Sequence, residues 1–460
     1  MERLESRLDD LARWQRRLPE WVTASSIFFL VAWLVFGRLL LRPHLATSGS
    51  DFVQLYFWEN FTREELDVGR LPLWNPYFFS GYPALANPQM LVFYPPAMLL
   101  RLLPLSYSFG VGFAVHIAWT GLGIYWLVRS QGLDRIPAFV SAIAFMWSGA
   151  VVPHIEGGHV EWMYTIAWLP WVIWQWQAVW FERTRRAPWL AGAVTGLMIL
   201  GGALRVMACA GLILVVLVAF RIAKLSRRGL LGEVWMLAIR SLLSIMLALG
   251  IAAPQLLPSL EFTLLSSRSI GLSLDCTTAL SLTPTDLLYI GFANTPFGSI
   301  HEWERHGYIG TLGFALAILG VFARPRERLR MTKMLLLAWG IGGLMLGVGP
   351  ALPLYPLARF VIPVLSLVRQ PFTFVVLMAI AGAGLAGLGC DRLLRWFRGD
   401  MPAPRRATWI GMGLFAISLI LDWLTLSTSL HPESFGLYPV VRWLYLFSAP
   451  RYFLVGLIFW

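Results

Sequence analysis

The chain has 460 residues, 57% of them hydrophobic and 13% charged, with a net charge of +12 and a mean hydropathy of +0.65. Soluble domains carry about 25% charged residues, so this composition excludes an ordinary water-soluble enzyme and predicts an all-α polytopic membrane protein. The three cysteines, Cys209, Cys276 and Cys390, offer neither a disulfide framework nor a CxxC metal spacing.

Residues 1–22 are charged and amphipathic and lack a small-residue cleavage site, so they predict a cytoplasmic helix beside the membrane rather than a signal peptide. From 23 to 460 the sequence predicts one transmembrane domain. Eleven apolar runs have span character: 23–42, 109–129, 136–152, 162–181, 189–204, 206–222, 236–257, 307–323, 333–349, 371–389 and 408–426. A twelfth starts at Arg451 and reaches only Trp460, so either the chain continues or this end lies in the interface. Placing the N-terminus inside puts most Lys and Arg, including Arg129, Arg135, Arg221, Lys224, Arg326, Arg328 and Arg395, into short cytoplasmic segments. The N-terminus is expected on the cytoplasmic face of the membrane. The basic balance then reflects insertion into a lipid bilayer, and nucleic acid is not an expected partner.

Polar chemistry gathers on the other side, in long extracytoplasmic loops at 43–108 and 258–306. Six of the seven histidines fall outside the membrane on this topology, and only His116 sits in a span. The first loop opens with SDFVQLYFWENFTREELDVG, which holds five of the 25 acids. Residues 51–67 predict an amphipathic helix, with Leu55, Trp58, Phe61 and Leu66 on a side suited to the membrane surface. Asp51, Gln54 and Trp58 share another stripe. Asp51 stands at the first turn, where a carboxylate meets the helix N-terminus. Glu59, Glu64, Glu65 and Asp67 predict a solvated face. The following GRLPLWNPYFFSGYPALANPQMLVFYPP is too apolar for a free loop and predicts a lid or wall at the membrane mouth. Its aromatics and amides (Trp74, Asn75, Tyr82, Gln89) suit a sugar or lipid headgroup.

These two stretches, with SGAVVPHIEGGHVEWMYTIAWLPWVIW, APQLLPSLEFTLLSSRS, YIGTLGFALAILGVFA and LGVGPALPLYPLARFVIPVLSLVRQPFTFVVLMAIAGAGLAGLG, resemble the YfhO-like bacterial membrane proteins. That family is similar to C-type (GT-C) glycosyltransferases, whose donors are polyprenyl-phosphate-linked sugars. The resemblance implies a GT-C-like fold and an inverting transfer of sugar to a cell-envelope glycan, lipid or exported protein. It implies Asp51 as the catalytic or metal-site acid and a Gly-His at His159. Two positions depart from the family pattern: Thr373 stands where a second Arg follows Arg-x-Pro, and Ala203-Leu204-Arg205 stands where His-Pro-Gln is common.

HIEGGHVE places His154, Glu156, His159 and Glu161 in an outer turn. The Gly pair interrupts any continuous helix, so a zinc-protease reading fails. A divalent cation such as Mg or Mn, with Asp51 and His159 as candidate ligands, remains open beside a solvated-loop reading. PQLLPSLEFTLLSSRS offers Glu261 and Arg268, with Pro254 and Pro258 expected to break the helix near the membrane surface. Arg268 and Arg369 are the candidate donor-phosphate ligands, and Arg359 shares an interfacial stretch with Arg369. The substrate-binding candidates are Gln54, Trp74, Asn75, Tyr82, Gln89, His159 and Glu261. Two other classes stay open: a transporter or flippase of lipid-linked saccharide, which needs ionisable groups at the midplane, and a non-catalytic membrane scaffold.

Overall fold

The computed structural model describes residues 19–41, 50–182, 184–284, 286, 290, 307–367 and 369–400. The N-terminal segment before Pro19, the expected span 408–426, the last part of the expected loop at 258–306 and the end at Trp460 lie outside them.

Every regular element among the described residues is helical. The chain begins with α1 (Glu20–Leu41), α2 (Ser50–Asp67) and the short α3 (Pro95–Leu100). Then come α4 (Leu105–Ser130), α5 (Arg135–Met146), α6 (Val152–Glu156), α7 (Val160–Ile166) and α8 (Leu169–Gln177). A π-turn at Ala178–Glu182 leads to α9 (Ala187–Leu200), α10 (Leu204–Ser226) and α11 (Leu231–Leu264). Last are α12 (Leu274–Thr278), α13 (Thr311–Phe322), α14 (Glu327–Gly347), α15 (Leu354–Val361) and α16 (Val375–Phe397).

Six of these segments are long and apolar enough to cross a membrane: Glu20–Gly37, Leu105–Ser130, Leu204–Ser226, Leu231–Leu264, Glu327–Gly347 and Pro371–Phe397. Of the ten apolar runs that fall on the described residues, four therefore do not form long helices. The runs at 136–152 and 307–323 form helices of only 12 residues, and the run at 189–204 forms one of 14. At 1.5 Å per residue, 12 residues rise about 18 Å, against a hydrocarbon core of about 30 Å. The run at 162–181 is interrupted by a turn at Ala167 and Trp168. Apolar content alone cannot separate a spanning helix from a short one packed inside a bundle.

The expected helix break at Pro254 and Pro258 does not occur. Both prolines lie inside α11, whose 34 residues run unbroken to Leu264. Each proline removes one backbone donor and leaves the remaining ladder intact, a loss that membrane helices tolerate. The helix rises about 51 Å, so its C-terminal turns extend past the hydrocarbon thickness and meet the first loop. There Gln255 Nε2 donates to the Leu85 carbonyl at 2.9 Å, and Ser259 Oγ donates to Ala86 at 2.8 Å.

Within lipid, helices associate through close packing rather than the hydrophobic effect. The crossing of α13 and α16 illustrates this. A Cβ on Gly320 would stand 2.0 Å from the Leu385 carbonyl oxygen, and one on Gly389 would stand 1.9 Å from that of Leu316. One end of the bundle is tied by Glu20, which accepts from Arg129 Nε and Tyr125 Oη at 2.7 Å each. Midway, His116 Nδ1 meets the Gly112 carbonyl at 2.7 Å. A carbonyl only accepts, so in the neutral ring Nδ1 carries the proton and Nε2 accepts from Tyr94 Oη at 2.8 Å. Trp168 Nε1 donates to the same hydroxyl at 2.7 Å.

Candidate functional site

The site is built at the other end of the bundle, where α2 lies across the mouth. The face expected to rest on lipid packs largely on protein instead: Leu55, Trp58 and Phe61 are buried, with Phe52 beside them, while Leu66 is exposed. Phe52 meets Phe109 edge-on at 4.7 Å. This side-on docking leaves Asp51, in the first turn, more than half exposed.

The segment between α6 and α7 makes the close approach possible. Gly158 has φ +83°, and a Cβ there would stand 2.6 Å from the Phe52 backbone nitrogen. The Gly157–Gly158 turn therefore lets this loop touch α2 and delivers His159 to Asp51. His159 Nε2 lies 2.9 Å from Asp51 Oδ2, and His159 Nδ1 lies 3.0 Å from His154 Nδ1. His154 is fully buried and stacks on Trp162, with ring centroids 3.8 Å apart. Burial, with the nearby His159 and Arg205, holds the His154 imidazole well below its usual range, so it is neutral. Glu161 is also buried, and its Oε1 accepts from Gln89 Nε2 at 3.0 Å. Its Oε2 has no hydrogen-bond partner.

Arg205 joins this cluster from the first turn of α10. Its guanidinium stands 5.0 Å from the Trp162 ring centroid and donates to Gln370 Oε1. Gln370 has φ +72°, a left-handed conformation that non-glycine residues adopt at a cost. It connects Arg369 to Pro371 at the start of the last described span. Arg205 is not among the site residues expected from the sequence. A signal was present, because Arg205 is the sole charged residue between Arg186 and Arg221.

The two expected phosphate ligands do come together. Arg268 Nη1 donates to the Leu367 carbonyl at 3.0 Å, and burial plus the neighbouring Arg369 charge push the Arg268 guanidinium below its usual value. Arg369 itself is exposed. Arg359 is instead committed to the Leu272 carbonyl. Thr373, two residues beyond Pro371, is buried.

The remaining candidates divide. Gln89 reaches the site through Glu161, and Gln54 lies half-buried one turn beyond Asp51. Asn75 and Tyr82 pair through their backbones at 2.9 and 3.0 Å and shape the first loop. Asn75 is buried, with Oδ1 accepting from the Tyr77 N–H at 2.9 Å. Trp74 is exposed and closes over Gly81. Glu261 is exposed on α11.

The solvated face expected of the α2 acids holds for Glu64 and Asp67, while Glu65 pairs with the exposed Arg70 at 2.9 Å. Glu59 is different. Its carboxylate receives Arg101 at 2.9 Å and Arg63 at 3.0 Å. The same two arginines bond the carbonyls of Met90, Leu91 and Val92, and of Leu100, Arg101 and Leu103. Glu59 therefore clamps the loop to α2.

Among the described residues, no group of three or more His, Cys, Asp or Glu side chains is gathered to hold a metal ion. Asp51 and His159 face each other as hydrogen-bond partners. The fold and site define a multi-pass helical membrane protein with a carboxylate–imidazole pair and a cation pair at one end. No protein-family model matches the chain, and no curated protein matches it.

Proposed function

We propose that the chain is a membrane glycosyltransferase of the GT-C kind, moving a sugar from a polyprenyl-phosphate donor to a cell-envelope acceptor on the extracytoplasmic face of a bacterial inner membrane. The observation that carries this reading is one linked cluster. An exposed carboxylate, Asp51, is tied through His159, His154 and Trp162 to Arg205 and Gln370, and so to the Arg369–Arg268 pair. Sugar transfer from a lipid phosphate needs a base at the acceptor hydroxyl and cations at the departing phosphate.

In this mechanism Asp51 takes the acceptor proton as the acceptor oxygen attacks the anomeric carbon. The bond to the donor phosphate breaks on the opposite face, so configuration inverts. The polyprenyl phosphate leaves with the bonding pair, and Arg369 and Arg268 bind its charge. The 71–96 loop, held by Glu59 and by the Gln89–Glu161 bond, walls the sugar.

Transport has less support, because the intramembrane His116 has both ring nitrogens in hydrogen bonds within a buried aromatic cluster. The test uses inner-membrane vesicles with wild type or Asp51→Asn at matched expression, radiolabelled polyprenyl-phosphate hexose and an envelope acceptor fraction. Wild-type transfer that collapses in the variant is expected. Equal transfer by both removes Asp51 from the mechanism.

A further inference from the structure

We propose that His154 and His159 are positioning residues for Asp51, forming a two-imidazole hydrogen-bond chain that holds a proton-bearing nitrogen against the carboxylate. A carboxylate oxygen only accepts, so His159 Nε2 is the donor across the 2.9 Å contact with Asp51. At the other end, the Nδ1 atoms of His154 and His159 are 3.0 Å apart, and one of them carries the shared hydrogen.

When His159 is neutral, its single proton is on Nε2. Its Nδ1 accepts, and His154 donates from Nδ1. The hydrogen-bond chain then runs in one direction, from His154 through His159 to the Asp51 carboxylate.

The surroundings of His154 suit that role. Its ring lies on Trp162 with an interplanar angle of 20°. Arg205, from α10, stands against the same indole and disfavours a charge on His154. Among the described residues, the charged groups shown to act on the two rings are Asp51 from α2 and Arg205 from α10. The Gly158 turn fixes the approach, because α2 leaves no room for a side chain there. A carboxylate held in this way keeps one orientation toward an acceptor hydroxyl, where a misplacement of about 1 Å costs on the order of 10²-fold in rate.

The assignment of Asp51 as the working group rests on the glycosyl-transfer reading; the hydrogen-bond chain does not. The test therefore has two arms. In the first, protein labelled with ¹⁵N-histidine in proteoliposomes is measured by solid-state NMR. The expected result is a through-hydrogen-bond ¹⁵N–¹⁵N coupling between two Nδ1 atoms, lost in His154→Phe, and a His159 Nε2 resonance that moves in Asp51→Asn. In the second arm, transfer kinetics are compared. His154→Phe keeps an aromatic ring on Trp162 without the nitrogens, and a kcat loss on the order of 10²-fold with unchanged donor KM is expected. His154→Asn, whose amide reaches the Nδ1 position, restores most of that loss. Absence of the coupling in wild type overturns the proposal, as does wild-type kcat in His154→Phe. If wild type shows no transfer, the spectra still decide the chain, and only the functional reading falls.

Discussion

Removing Glu59 should release the first loop from α2 without unfolding the bundle. The Arg101 side chain is 7% exposed and that of Glu59 17%, so this pair is largely out of water. Arg101 Nε and Nη2 bind the carboxylate at 3.0 and 2.9 Å, and Arg63 Nε binds it at 3.0 Å. Breaking a buried pair by removing one partner costs about 3–5 kcal/mol. Arg101 keeps its carbonyl acceptors at 90–92, which places Glu59→Ala near the lower end, at about 3 kcal/mol. That figure corresponds to roughly a 10²-fold rise in loop opening. Glu59→Gln retains an acceptor oxygen and should cost about half as much. Hydrogen exchange read by mass spectrometry in nanodiscs measures this directly, because amides at 84–103 should exchange about 10²-fold faster in Glu59→Ala. Protection in α4 and α16 should not change. Unaltered exchange in the loop would refute the clamp, and equal acceleration throughout the bundle would show that Glu59 holds the fold rather than the loop.

Gly158→Ala should destabilise by at least about 2 kcal/mol, since an L side chain at positive φ costs about 1–2 kcal/mol and meets the Phe52 backbone; thermal unfolding and the Asp51-dependent transfer assay should both register it. Arg268→Gln or Arg369→Gln should each raise donor KM about tenfold, the equivalent of one lost charge-assisted bond of about 1.5 kcal/mol. The double variant should fall short of the product, because both cations bind one phosphate. The depressed His154 value sets a pH dependence. Its folded value lies below 6.5, so the unfolded chain binds more protons there as pH drops. Its contribution is complete above pH 6.5 and is lost as pH falls from there toward the folded value. Unfolding measured between pH 7 and 5 should show this slope in wild type and a shallower one in His154→Phe.

The all-helical, membrane-embedded character of the chain was legible in its sequence, because long apolar runs leave the backbone no partner but itself. So was the helix at Ser50–Asp67, and so was the turn at Gly157 and Gly158, whose backbone freedom is a local property. The number of long helices was not legible, because a 12-residue helix inside a bundle is as greasy as one in lipid. Periodicity marked Leu55, Trp58 and Phe61 as one apolar side but could not tell protein from membrane as its partner. Glu59 looked like its solvated neighbours until Arg101 arrived from 42 residues away. Asp51 and His159 were each visible as candidates, but their 2.9 Å contact joins positions 108 residues apart. Arg205 and Gln370 are separated by 165. Sequence fixes what a residue can donate, accept or bury with its near neighbours. Which distant group it meets depends on how the helices pack, and that pairing alone turns a scattered set of acids, imidazoles and guanidinium groups into a site.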